Sequence, residues 1–537
     1  MTHLYPFFPC AVRLLRTAGL PLIGLALASL ACAEVQLASP FTDHMVLQRE
    51  VAVPIWGTAT AGAKVTVDFA GQSKSATADA EGAWRVVLTP LQASAESRDL
   101  TVTEAPGTTP VELHDVLVGD VWLCSGQSNM DFTVARTPKY YFAGVNNEAE
   151  EVAAANYPTL RMFTAAPVRA PQPQKRVPGI WKICTPENVR EFSAIGYFFA
   201  RNLQKELKIP LGIVALSFGA STAQAWIRRE ALEADPQTRA MLDSFDAQVK
   251  SYVPPTPEEQ KTIDEEAAKA KAAGLRPPKR AHSDPTQDQH NPTVLFNGMI
   301  APVVPYAIRG FLWYQGESIT SPRELFPKLN EILITDWRKL WGAELPFYFC
   351  QLAAHRAASH GPEVRAWQAE ALKLPNTAMA VTIDIGDPKD VHPHNKQDVG
   401  DRLSRIALAK TYGREIEYSG PQYESMEVKD SALQLKFSHA SGGLVARGGP
   451  LKTFEVADQE GEFFAADAVI EGDTLRVSSP KVSAPVAVRY AWSSYPEGCN
   501  FYNGAGLPAA PFQAGQKFSK PGASKTENKK GEPVGSP

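Results

Sequence analysis

The stretch that decides the fold is Asp120-Val121-Trp122-Leu123-Cys124-Ser125-Gly126-Gln127-Ser128-Asn129-Met130. Together with Val116, Leu117 and Val118 before it, its apolar residues have the length and β-branched content of a buried strand. The run stops at Gly126, where glycine permits a sharp turn, and Ser128 comes two residues later. That order places a hydroxyl at the carboxyl end of a strand, where open parallel sheets carry their sites. On Gly126 to Asn129 alone, an ordinary polar turn and a nucleophilic serine read equally well.

Downstream of this stretch, strand and helix patterns alternate. Strands are expected near 212–216, 309–314, 346–352 and 378–384. Helices are expected over 193–207, 325–341, 364–374 and 399–411. In the first of these helices Ile195, Phe198, Phe199, Leu203 and Leu207 share a face, with Ser193 placed to cap it. Such alternation predicts an α/β domain over 116–414, with a parallel sheet covered by helices on both faces. A charged, proline-flanked segment at 228–292, with Ala-, Glu- and Lys-rich residues at its centre, reads as a solvated helical insertion.

The flanks follow a different grammar. Val65-Thr66-Val67-Asp68-Phe69 and Trp84-Arg85-Val86-Val87-Leu88 belong to short alternating strands, which predict a β-sandwich-like domain over 34–115. Leu433, Leu435 and Phe437, then Val486, Val488 and Tyr490, predict a second β module over 415–515. Residues 516–537 read as a disordered tail. Arg13 and Arg16, an apolar run from Ala18 to Leu30 and the small-residue pattern Ala31-Cys32-Ala33 read as a signal peptide over 1–33. The expectation is export, to periplasm or outside the cell, with lipid anchoring at Cys32 as the weaker alternative and no integral membrane span in the mature chain.

With 537 residues, 44% of them hydrophobic, the chain is long enough for more than one core. Its net charge of −4 provides no basic footprint for nucleic acid. After the leader, Cys124, Cys184, Cys350 and Cys499 remain, too widely spaced for a zinc site, and no particular disulfide is implied. No cofactor and no metal are expected.

A serine needs a base within hydrogen-bond reach and donors for the oxyanion that forms. His392 is the first choice for the base, because the segment Asp384 to Pro393 follows a strand and precedes a helix. It should therefore reach the same sheet edge as Ser128. His394 is the competitor, His355 and His360 lie in a polar loop, and His44 reads as a structural residue at a domain seam.

Gly126-Gln127-Ser128-Asn129-Met130 resembles the nucleophile block of the SGNH hydrolases, in particular their sialate O-acetylesterase and carbohydrate acetylesterase branch. The resemblance continues in Trp313-Tyr314-Gln315-Gly316-Glu317-Ser318, in the Asp390-Val391-His392-Pro393 segment, and in 296–302, 395–403 and 41–48. It implies a three-layer α/β/α domain and a serine esterase that removes O-acetyl groups from carbohydrate. It also implies an oxyanion hole built from Ser128 N–H, Gly219 N–H and the Gln315 side chain. Ser217 to Trp226 resembles the family's glycine-bearing block, with Ala220 where a second glycine is usual, and backbone donation there depends on whether the position needs positive φ. The third triad member stays open between Asp390 and Glu317, since Lys389 stands where many relatives have aspartate. Gln127, Asn129, Trp226 and Trp313 are placed on the substrate side.

An O-acetylated sialic acid and a neutral polysaccharide such as acetylxylan compete as substrate. Arg309, Arg365 and Arg402 are available in the sequence to meet a sialate carboxylate, and none is assigned. The alternative of another class is a non-catalytic carbohydrate-binding protein that keeps the fold. The oligomeric state is left open.

Overall fold

The computed structural model describes residues 35–105, 109–274, 283–319, 322–356 and 361–518. The expected leader with Cys32, His360 and the tail beyond 518 lie outside these residues.

The element that positions everything else is the strand Val111–Gly126. Its first five residues alternate between half-covered and exposed, and from Val116 onward every residue is buried. The change in pattern is a change of neighbours. The front half pairs antiparallel with Ser94–Glu104, and its middle pairs parallel with Val46–Gln48. The back half lies between the parallel strands Leu211–Ser217 and Gly310–Tyr314. Alternation suits a sheet with one wet face, and a continuous apolar run suits a strand covered on both. The expected boundary at 115 thus falls inside one uninterrupted strand. Asp115 there is left-handed, with φ 56°, and its carboxylate meets Arg161 at 2.5 Å and His44 at 2.7 Å. His44 has the seam position read from the sequence.

The central sheet runs in the order 179–184, 157–165, 211–217, 111–126, 310–314, 347–350, 377–380. The expectation of a wholly parallel sheet is corrected at one edge, where Gly179–Cys184 runs antiparallel to Tyr157–Ala165. No helix separates those two strands, and only an antiparallel pair can be joined without a crossover. Helices cover both faces. Trp122 and Tyr348 pack on one side, with Trp122 edge-on to Phe199 of Ala194–Leu207 at 5.1 Å. Phe311, Trp313 and Phe347 point to the other side, onto Trp337 of Phe326–Trp341. Truncating a buried ring of this size to alanine costs about 3–5 kcal/mol. Ser193 caps its helix as expected, accepting from Gly196 N.

The 228–292 segment forms Arg229–Glu233, Pro236–Ser251 and Pro257–Ala272, with residues 275–282 outside the described set. Thr256 and Glu259 cap the last helix reciprocally, each accepting from the other's backbone N–H.

From Gln422 onward, two four-stranded antiparallel sheets enclose a second core that includes Leu435, Val456, Leu475, Tyr490 and Phe501. This module is fastened to the α/β domain by two arginines. Arg365 donates to the carbonyls of Leu352, Ala353, Ser493 and Ser494. Arg402 forks onto Asp384 with two contacts of 2.7 Å, and Tyr502 donates to the same carboxylate. Cys124, Cys184, Cys350 and Cys499 are free thiols, the first three buried. Among the described residues no helix is long and apolar enough to cross a membrane.

Candidate active site

The site follows from strand register. Ser217 and Tyr314 both stand opposite Gly126, so three neighbouring strands end level and release their chains at one edge. Gly126 has φ 140°, and a Cβ on it would lie 2.1 Å from Tyr314 O, so this close turn requires glycine. Gln127 N then donates to Tyr314 O, and Ser128 opens the one-turn helix Ser128–Asp131. A fourth segment arrives from strand Thr377–Ala380 through the turn Ile383–Ile385, and carries His392 before helix Lys396–Lys410 begins.

His392 Nε2 lies 2.8 Å from Ser128 Oγ, although the two residues are 264 apart in sequence. For Nε2 to accept the hydroxyl proton, the ring proton must sit on Nδ1, and Nδ1 faces Asp390 Oδ1 at 3.3 Å. Asp390 Oδ1 also accepts from His392 N at 2.8 Å, while Asp387 Oδ1 accepts from the N–H groups of Lys389 and Asp390. This local turn presents the carboxylate two residues before the histidine, which is why Lys389 at the third position does no harm. Phe142 covers the imidazole, its ring 4.6 Å away. Burial, helped by the nearby Lys396 cation, lowers the His392 pKa to about 4 against the opposing pull of Asp390. The imidazole is therefore neutral at neutral pH, with its lone pair toward the serine.

The competing groups go elsewhere. His394 Nδ1 is bonded to Gly144 O, and its Nε2 lies 3.7 Å from Asp390. Glu317 receives Asn129 Nδ2 on Oε1, and its buried Oε2 has no partner among the described residues. Of the two carboxylates left open by the sequence, Asp390 is the one in contact with His392.

Ser128 N–H and Gly219 N–H have no acceptor among the described residues. A Cβ on Gly219 would lie 3.8 Å from Ser128 Cβ, so Gly219 stands beside the nucleophile turn. Ala220 has φ 56°, so this position does demand the left-handed region, and an alanine there costs about 1 kcal/mol. Gln315, expected to donate to the oxyanion, has its amide engaged elsewhere. Its Nε2 already donates to Ser221 O at 3.1 Å and Ser318 O at 2.8 Å, leaving no N–H for an oxyanion.

The four residues placed on the substrate side are all buried. Trp226 is fully buried and donates to Ser221 Oγ, and Trp313 packs edge-on against it at 6.1 Å. Gln127 and Asn129 are 2% and 1% exposed. Gln127 Oε1 accepts from Gly316 N and Ser318 N, so it ties two turns together instead of facing a ligand. Arg309, Arg365 and Arg402 are likewise engaged internally, Arg309 with Asp120 and Glu50. Among the described residues no cluster of His, Cys, Asp and Glu is arranged to hold a metal ion.

A family model described as carbohydrate esterase, sialic acid-specific acetylesterase, matches residues 288–410. The sialate O-acetylesterase of Rattus norvegicus is 31% identical over 535 residues, covering 89% of this chain and 94% of that protein. The chain belongs to the sialate O-acetylesterase family. The Homo sapiens sialate O-acetylesterase is 29% identical over 532 residues, 89% of this chain and 92% of that one. The crystal structure of a carbohydrate acetylesterase from Xanthomonas citri matches with a TM-score of 0.75 and 33% identity, over 89% of this chain and 99% of that chain. Membership of the sialate O-acetylesterase family makes the protein a carboxylic ester hydrolase.

Two residues at this sialate O-acetylesterase-family site escaped the sequence reading. Phe142, on the imidazole, lies in an irregular loop with no periodicity to mark it. Lys396 is fully buried at the start of helix Lys396–Lys410, and burial lowers its pKa to about 7 although Glu317 pulls the other way. Burial raises the Glu317 carboxyl in turn. A signal for Lys396 did exist. Asn395 is a good N-cap, and a cation in the turn after it opposes the helix dipole.

Proposed function

We propose that the protein removes O-acetyl groups from carbohydrate through an acyl-serine intermediate. The observation that carries this reading is the 2.8 Å contact of His392 Nε2 with Ser128 Oγ, with Asp390 behind the imidazole. Ser128 Oγ bonds to the acetyl carbon as its proton passes to His392 Nε2, and the oxyanion is met by Ser128 N–H and Gly219 N–H. Collapse of the tetrahedral species breaks the ester bond, and the imidazolium gives its proton to the departing sugar oxygen. Water then attacks the acyl-serine, its proton passes to His392, and acetate leaves as that proton returns to Ser128. Asp390 stabilises the imidazolium in both halves. The leader pattern at 18–33 supports an export route for this enzyme.

Family membership supports an O-acetylated sialic acid as the substrate. A specific observation favours a second reading, an uncharged acetylated glycan. Arg309, Arg365 and Arg402 are all engaged within the protein, so none is free for a sialate carboxylate. Acetate release from 9-O-acetyl sialic acid and from acetylated xylan, compared as kcat/KM, decides between them. A preference for the sialic acid sustains the first reading, a preference for xylan selects the second, and no release from either rejects the proposal.

The protonation state of the base sets the acid limit. Protonation removes the lone pair that accepts from Ser128, so kcat/KM for p-nitrophenyl acetate is expected to fall only as pH drops through about 4. A limb near 6.5, the ordinary imidazole value, would mean that His392 is not desolvated in the working enzyme.

A further inference from the structure

A lysine that is fully buried and sits in the first turn of a helix breaks two rules at once, since both burial and the helix dipole disfavour its charge. Lys396 is such a residue. Its Nζ donates to Asn129 Oδ1 at 2.6 Å and lies 4.4 Å from the centre of the Phe132 ring. Places where local rules fail are where function is to be sought.

The partner of this lysine is a junction. Asn129 follows Ser128 in the chain, and its Nδ2 donates to Val391 O at 3.0 Å and to Glu317 Oε1. Val391 precedes His392. One side-chain amide therefore joins the nucleophile turn, the loop of the base and the 315–318 loop. An amide has two orientations, and only one of them serves here. With the ammonium against Oδ1, both N–H donors are directed at Val391 and Glu317. Without it, the amide can rotate and release the loop that carries His392.

We propose that Lys396 is a positioning residue that acts through Asn129 to hold Ser128 and His392 at reacting distance. This rests on the serine mechanism proposed above and adds to it a group that touches neither substrate nor reacting atoms. The charged and titratable groups facing His392 are Asp390 and His394 of its own loop and Lys396 of the helix behind it. Those facing Lys396 are Glu317, Cys350 and Asp390.

The test is steady-state kinetics of the full chain on p-nitrophenyl acetate with Lys396→Met, Asn129→Asp, the double variant and a Ser128→Ala control. Lys396→Met keeps the volume of the stem, and Asn129→Asp is isosteric but loses both N–H donors. Each single variant is expected to lose about 100-fold in kcat with KM within about two-fold, the scale of a small misplacement of reacting groups. The double variant is expected to be no worse than the poorer single one, because both act on one amide. In Lys396→Met the acid limb of kcat/KM is expected to move up from about pH 4, since a cation that opposes protonation of His392 is gone. Wild-type kcat in either single variant, multiplicative losses in the double variant, or an unmoved acid limb would overturn the proposal. If Lys396→Met fails to fold, the loss of kcat at unchanged KM in Asn129→Asp decides alone. Full activity in Ser128→Ala would instead reject the serine mechanism, so the two failures are distinguishable.

Discussion

Ser128→Ala is expected to lower kcat for acetyl ester hydrolysis by about 10⁴- to 10⁶-fold while leaving the melting temperature unchanged. Among the described residues the hydroxyl makes one hydrogen bond, to His392, so its removal takes away the nucleophile and little else. The oxyanion donors at Ser128 N–H and Gly219 N–H remain in the variant and account for whatever rate persists over water. His392→Ala should cost a similar factor, and the double variant should be no slower than either single one, because the pair acts as a unit. Quenched-flow analysis adds a check, since a burst of p-nitrophenol belongs to an acyl-enzyme and must vanish with the serine. Wild-type turnover without the hydroxyl would mean that another group attacks the ester.

The largest effect on stability is expected at Asp120→Ala, with a loss of about 3–5 kcal/mol. The Asp120 side chain is fully buried and accepts from Gln48, Arg49, Arg309 and Tyr412. Those donors come from the N-terminal module, the start of the interior strand Gly310–Tyr314 and the turn after helix Lys396–Lys410, so one carboxylate gathers three parts of the chain. Alanine would remove the buried anion that Arg49 and Arg309 share and leave them only the exposed carboxylate of Glu50. Asp120→Asn retains an acceptor and should lose less. The sign of the pH dependence follows from the same contacts. Burial raises the Asp120 pKa, but Arg49 and Arg309 outweigh it and hold the folded value below the ordinary carboxylate range. The stabilisation is therefore present above the unfolded carboxyl value and is lost as pH falls through the lower, folded one. Thermal melting of the full chain between pH 7 and pH 2 checks both claims, and a variant that melts with wild type at pH 7 would remove Asp120 from the framework.

The parts of the site that were legible in the sequence are those determined by chain path. Ser128 and His392 each sit just beyond a strand and before a helix, and level strand ends bring such positions together whatever the intervening length. The strand expected at 309–314 is Gly310–Tyr314, and the helix expected at 325–341 is Phe326–Trp341, because apolar spacing is dense there. The helix expected to begin at 399 begins at Lys396, since periodicity is visible only from Val399. Side-chain direction was not legible. Gln315 follows its strand as expected, yet its amide turns toward Ser221 and Ser318, and that choice depends on carbonyls supplied by other loops. Trp226 and Trp313 face the helix layer because Trp337 and Ser221 meet them there, contacts that span up to 111 residues. Asp390 meets His392 through a local turn, whereas Glu317 is engaged by Asn129, a contact across 188 residues that no motif encodes.

The strand Val111–Gly126 serves two sheets with a single backbone, and this limits how the gene can change. Side chains alternate along a strand, so one codon gained or lost between Val111 and Gly126 would invert every residue beyond it, turning Trp122 from one helix layer to the other. The segment thus behaves like a reading frame in three dimensions, in which a substitution acts at its own position and a single-residue length change acts on every position beyond it. The helical excursion at 228–292 is a stretch without that constraint. Recombination that joins a foreign N-terminal module at residue 115 inherits the same condition, because the graft must deliver the nucleophile strand in phase as well as in place.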